Sequence, residues 1–130
     1  MRNLRYIVVF ATAIFLLALA AGCRNEAPAF HVNDVASDPG AFGGSLTVVG
    51  ITYGYSKSDA TIVGIMDKKE LQCTTPNCNK VLLPVKIKGT PPAIGAEVKI
   101  SGSFSRESGG YLFHAEKMEV IANHRLGGQG

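Results

Sequence analysis

Three stretches rich in β-branched residues each carry a glycine near the middle. They are Leu46-Thr-Val-Val-Gly-Ile-Thr-Tyr53 with Gly50, Ala60 to Met66 with Gly64, and Glu97 to Phe104 with Gly102. β-Branched side chains fit a half-buried extended surface, and a glycine inside a strand marks a bulge, a hard bend or a close backbone approach. Strands that can bend this sharply allow a small sheet to curl onto itself.

Two more strands follow from the pattern. In Val81 to Gly89, Leu83, Val85 and Ile87 alternate with Pro84, Lys86 and Lys88, which predicts one buried and one wet face. Pro84 has no backbone donor, so this strand should lie at an edge or begin at Pro84. In Tyr111 to Ile121, Phe113 and Ala115 fall on one face and Met118 and Val120 on the other, so a bulge between them must switch register. Ser56 to Asp59, the rigid Pro91-Pro92-Ala93-Ile94-Gly95 and the hairpin signal Ser108-Gly109-Gly110 supply connections. Upstream, Asn33 is placed to cap a short helix through Ser37, which Pro39-Gly40 ends. Val35 and Phe42 should dock on the core.

The expected fold class is all-β: a five-stranded barrel with a short N-terminal helix. It resembles an OB-fold over Ser45 to Ile121. The resemblance is carried by Val48-Val49-Gly50-Ile51, by Ile65-Met66-Asp67 and by Gly95-x-x-Val98-x-Ile100-x-Gly102. In that likeness Pro91-Pro92 stands where a helix usually joins strands three and four. A β-sandwich fits less well, because five strands make poor paired sheets.

The N-terminal segment has a different character. Arg2 and Arg5 precede an apolar run, Ile7 to Leu19, and no charge occurs from Tyr6 to Cys23. That is the layout of a secretory signal. A retained membrane helix wants about 20 apolar residues, and this run barely reaches that. Leu19-Ala20-Ala21-Gly22-Cys23 resembles the lipobox of bacterial lipoproteins. The resemblance implies a lipoprotein signal peptide over residues 1–22, removed before Cys23. It also implies a diacylglyceryl group on the Cys23 thiol, acylation of the freed amine by a fatty acid such as palmitate, and stable anchoring. Arg24, where inner-membrane lipoproteins usually carry Asp, points to an outer-membrane location facing the periplasm or the cell exterior. The expected division is a signal at 1–22, a tether at 23–29, the barrel domain at 30–121 and a flexible tail at 122–130.

Charge and motifs narrow the expected chemistry. The chain has 130 residues and a net charge of +3; loss of Arg2 and Arg5 leaves 11 basic against 10 acidic residues in the remaining 108. A charge near +1 gives no electrostatic footprint for nucleic acid. There is no Gly-x-Ser-x-Gly, no His-Glu-x-x-His and no phosphate loop, so no enzyme is expected. Cys73 and Cys78 bracket Thr-Thr-Pro-Asn, and outside the cytoplasm such a pair oxidises to a disulfide. A soft-metal pair or a redox switch are the other readings. Two thiolates alone are too few for zinc. His114, Glu116 and Met118 would share a face if the last strand ran unbroken, and could then hold copper or haem iron. The chain is similar, in a tethered OB-like domain with His124 just past the barrel, to the haem chaperone of cytochrome c maturation. Arg125-Leu-Gly-Gly replaces that family's His-Asp-x-x-Tyr motif, so the haem role is not carried over.

Tyr53, Tyr55, Phe104 and Tyr111 are the candidates for an exposed ligand face, where aromatics stack on bases or sugars. The resulting expectation is a membrane-anchored, extracytoplasmic lipoprotein acting as a non-catalytic binding or adaptor module. Its partner would be an envelope protein, a glycan or a small molecule, with no cofactor and no nucleic acid. The alternative is a periplasmic metal or haem handling protein using Cys73 and Cys78 or His114 and His124.

Overall fold

The computed structural model describes residues 28–73 and 79–126. Among them six strands form one mixed sheet: β1 (Ala29–His31), β2 (Leu46–Tyr55), β3 (Ile62–Met66), β4 (Leu82–Lys86), β5 (Ala96–Glu107) and β6 (Gly110–Asn123). A short helix, α1 (Val32–Ala36), follows β1. Single 3-10 turns occupy Pro39–Ala41 and Lys68–Gln72.

The strand order is β1-β2-β3-β4-β6-β5, with β5 also pairing β2. β2 can serve so many neighbours because it is long. Leu46–Ile51 pairs β5, and Ile51–Tyr55 pairs β3. The sheet therefore curls around one core, consistent with an OB-fold-like all-β layout. It is not a fully paired barrel: β4 and β6 meet in parallel over only Val85–Phe113 and Lys86–His114. The expected five-stranded barrel is thus corrected to a six-stranded mixed sheet. The added strand, β1, runs parallel to β2 from Ala29, inside the segment expected to be a tether. Three residues are too few to display a period of two.

Pro84 lies opposite Gly64 of β3, and pairing toward β6 begins only at Val85. A residue without an N–H is thereby placed where no partner needs one. The bulge expected in the last strand is present. Ser101 pairs Lys117 while Gly102 pairs Ala115, leaving Glu116 as the extra residue. Met118, out of phase with Phe113 in the sequence, consequently packs against the core.

The core is aliphatic, built from residues such as Val48, Val63, Ile65, Val85, Val98 and Ile100 around Phe113. α1 contributes Val32 and Val35, both fully buried, and Phe42 packs against the cluster as expected. Each such side chain contributes roughly 1.5–3 kcal/mol on burial. Gly50 makes the approach of α1 possible, since a methyl there would stand 2.6 Å from Val32 Cγ2 and 3.0 Å from Met66 O. The bend expected at Gly50 is instead a packing requirement, and the irregularity of β2 comes at Thr52–Gly54.

Asn33 does not cap α1. The helix starts two residues earlier, with His31 at the N-cap and its N–H donated to Asp34 Oδ2 at 3.2 Å. The Asn33 N–H donates instead to Asp67 Oδ2, 3.1 Å away across 34 residues of chain. Asp67 is buried and also accepts the Lys69 N–H, so one carboxylate ends β3, starts the next turn and holds α1.

Candidate functional site

One groove of the sheet lies over β2, β3 and β4. Ile51 pairs Met66, and Gly54 pairs Gly64. Met66 and Gly64 are two apart, so they share a face of β3. Between those pairs Thr52 and Tyr53 together oppose Ile65, which makes Tyr53 the extra residue of a bulge. Bulges re-aim the side chain they carry. Tyr53 and Tyr55 both reach one groove of about 520 Å³, lined also by Gly54, Ile62, Gly64, Leu82 and Pro84.

The floor of this groove is bare backbone. A methyl added at Gly54 would meet nothing within 4 Å, and one at Gly64 would only touch Leu82 at 3.4 Å. Tyr55 is 44% exposed and Leu82 42%, large apolar surfaces for a free side of a sheet. The Tyr55 hydroxyl donates to Pro92 O at 2.7 Å, which ties the ring to the rigid 91–95 connection. Lys80 Nζ sits 4.7 Å from the centre of the Tyr53 ring, a cation–π contact that also leaves a positive charge beside the groove.

Of the four aromatics expected on a ligand face, the fold brings Tyr53 and Tyr55 together and sends the other two elsewhere. Phe104 packs edge-on against Phe113 at 5.0 Å and Tyr111 at 6.4 Å. It faces the core with Val98 and Ile100, as the alternation of its own strand requires. The floor glycines and Leu82 were missed, although Tyr53-Gly54-Tyr55 beside Gly64 was visible. Their meaning appears only once β2 and β3 are in register.

The histidines are engaged in pairs. His114 Nε2 lies 2.6 Å from Ser105 Oγ and 3.5 Å from Glu107 Oε1. His124 Nε2 contacts Glu97 Oε2, a carboxylate only 5% exposed, and Lys68 Nζ stands 3.5 Å from the same oxygen. The His124 hydrogen bond, supported by the Lys68 charge, holds the Glu97 carboxyl below its ordinary value against the opposing effect of burial. Asp59 is lowered to about 2 by its hydrogen bond with Lys86 and then by those from Thr61. Glu107 is lowered by hydrogen bonds from Ser105 and His114. Each carboxylate is thus kept ionised by fixed partners, the opposite of what a general acid needs near neutrality.

No group of three His, Cys, Asp or Glu side chains gathers to hold a metal ion among the described residues. His114 and His124 therefore sit in no such cluster. The expected bulge falls at Glu116, so the unbroken strand on which His114, Glu116 and Met118 would share a face is not formed. Cys73 is disulfide-bonded, and its expected partner Cys78 lies outside the described residues. Cys23 and the signal segment also lie outside them. The tail expected from residue 122 starts inside β6 and ends, for the described part, at the buried Leu126.

No protein-family model matches the sequence, and no curated protein matches it. Among solved structures the chain is similar to the S. pombe Stn1-Ten1 complex, at 12% identity and a TM-score of 0.48, covering 77% of this chain and 81% of that one. It is also similar to a Replication Protein A heterotrimer bound to single-stranded DNA, at 15% identity and a TM-score of 0.40, covering 65% and 62%. A third is an aspartyl-tRNA synthetase described from Leishmania major Friedlin, at 9% identity and a TM-score of 0.45, covering 82% of this chain and 22% of that one.

None of the three is a lipoprotein or a haem chaperone, and one is bound to single-stranded DNA. The expectation of an adaptor with no nucleic-acid partner is corrected accordingly. The physical flaw lay in the charge argument. A near-neutral chain is excluded only from binding led by phosphate contacts, whereas stacking on aromatic rings needs few cations.

Proposed function

We propose that the groove between Tyr53 and Tyr55 binds single-stranded nucleic acid, and that the protein is a non-catalytic binding module on an OB-like β-scaffold. The observation that carries this reading is the pairing of the exposed Tyr55 and the half-buried Tyr53 with a floor, Gly54 and Gly64, that has no side chains. A flat base can lie on such a floor and stack against a ring, a contact worth roughly 1–3 kcal/mol per base.

The polar groups argue for bases rather than sugars. A glycan presents many hydroxyls, each of which needs a partner when desolvated. Here the Tyr55 hydroxyl is committed to Pro92 O and the Ser56 hydroxyl to Ser58 Oγ at 3.0 Å. What remains is the Tyr53 hydroxyl, the backbone of Gly54 and Gly64, and a larger apolar and aromatic surface, with Lys80 at its margin. Lys80 can meet one phosphate.

Fluorescence anisotropy with a labelled oligothymidylate of about a dozen nucleotides tests this, that length matching the site sizes of such modules. Saturable binding is expected, lost roughly 5- to 150-fold in Tyr55→Ala, the range that one stacked base supplies. With one or two phosphates neutralised, the logarithm of affinity should fall with that of salt at a slope of only about −0.7 to −1.4. Equal affinity in Tyr55→Ala, or preference for a neutral oligosaccharide, would overturn the proposal.

A further inference from the structure

Tyr53 is the unpaired residue of its bulge, so the β2–β3 ladder does not fix it. Another part of the molecule does. Leu126 is buried with Ile51 and Met66, and Tyr53 and Leu71 pack against that cluster. The segment bearing Leu126 is stitched to the bulge through the backbone. The His124 N–H donates to Gly95 O, and the Gly95 N–H donates to Thr52 O, each at 2.8 Å. Gly95 has φ +90°, and a side chain there would overlap His124 O, so the stitch depends on glycine. His124 is held a second time by Glu97, which Lys68 also faces.

We propose that Leu126, latched by His124, is a positioning residue for Tyr53 and through it for the ligand groove. The inference rests on the groove reading above for its functional meaning, but its structural half stands alone. A short segment just past the last strand closes the Ile51–Met66 end of the groove face and braces the one tyrosine that the sheet leaves free. Leu126 touches no ligand; it acts through the ring.

The test reads Tyr53 directly. Ring resonances of Tyr53 are followed by NMR in the parental full-length chain, in Leu126→Ala and in Leu126→Met, alongside titration with the same oligothymidylate. Leu126→Ala should shift and broaden the Tyr53 ring signals and weaken binding about three- to tenfold, part of the loss from removing a stacked ring. Leu126→Met should restore both. Slow exchange of the Val98 and Ile100 amides in all three checks that the core is intact. Should Leu126→Ala unfold the domain, His124→Ala, which removes the side-chain bond to Glu97 and keeps the backbone stitch, must shift the Tyr53 signals in the same direction. Unmoved Tyr53 signals and unchanged affinity in a folded Leu126→Ala overturn the positioning role. Moved Tyr53 signals in a chain that binds no oligonucleotide uphold that role and sink the groove reading instead.

Discussion

Glu97 is a buried carboxylate whose charge is kept by two partners of different kinds, a half-buried imidazole and an exposed ammonium. Its carboxyl is lowered in the folded state, so the stability it contributes is complete above the ordinary 4.5 and is lost as pH falls through the depressed value. Thermal midpoints measured from neutral pH into acid should therefore fall less steeply in Glu97→Gln than in the parental chain. His124→Ala leaves Glu97 buried with only Lys68, and a cost of about 1–3 kcal/mol in urea unfolding is expected. Asp59 behaves differently because it is open to solvent. Its carboxyl carbon should titrate near pH 2, well below a free aspartate, and Lys86→Met should move it back up. None of these pairs was legible in the sequence, because each joins residues 25 or more apart that only the strand register brings together.

At the scale of elements, β2 carries two glycines with opposite requirements. Gly50 faces α1, where an added methyl meets Val32 and the Met66 carbonyl, so Gly50→Ala should destabilise by about 1–3 kcal/mol. Gly54 faces open space, so Gly54→Ala should unfold at nearly the parental urea concentration. The comparison is sharp because the two substitutions are chemically identical and lie in one strand. The positions of these glycines could be read from the pattern, but their roles could not, since both look like strand interruptions until α1 and β3 are placed. The bulge at Glu116 was legible for the reverse reason. A change of apolar phase between Ala115 and Met118 is local, and one extra residue is the smallest repair. β1 was hidden by its length, and the anchoring of α1 by Asp67 was hidden by its distance in the chain.

For the whole molecule, one long strand supports a curled sheet whose inside is aliphatic core and whose outside, over β2–β4, is a bare and aromatic groove. The all-β class was legible in the sequence, and so was the nearness of Tyr53 and Tyr55, which line one groove. The groove itself was not, because a concavity made from absent side chains leaves only glycines in the sequence, and glycine has many other uses. A larger residue at Gly54 should fill the groove without straining the fold. Gly54→Val is therefore expected to weaken single-strand binding at least as much as Tyr55→Ala while leaving the urea midpoint close to parental.

The most direct measurement is an amide NMR titration of the folded chain with oligothymidylate. Shifts should concentrate at Tyr53, Gly54, Tyr55, Ser56, Gly64 and Leu82, the residues around the groove, and saturate together with one affinity. Shifts confined to the opposite strands, at Lys99, Ser101 and Lys117 along β5 and β6, or no saturable shift at all, would contradict single-strand binding in this groove.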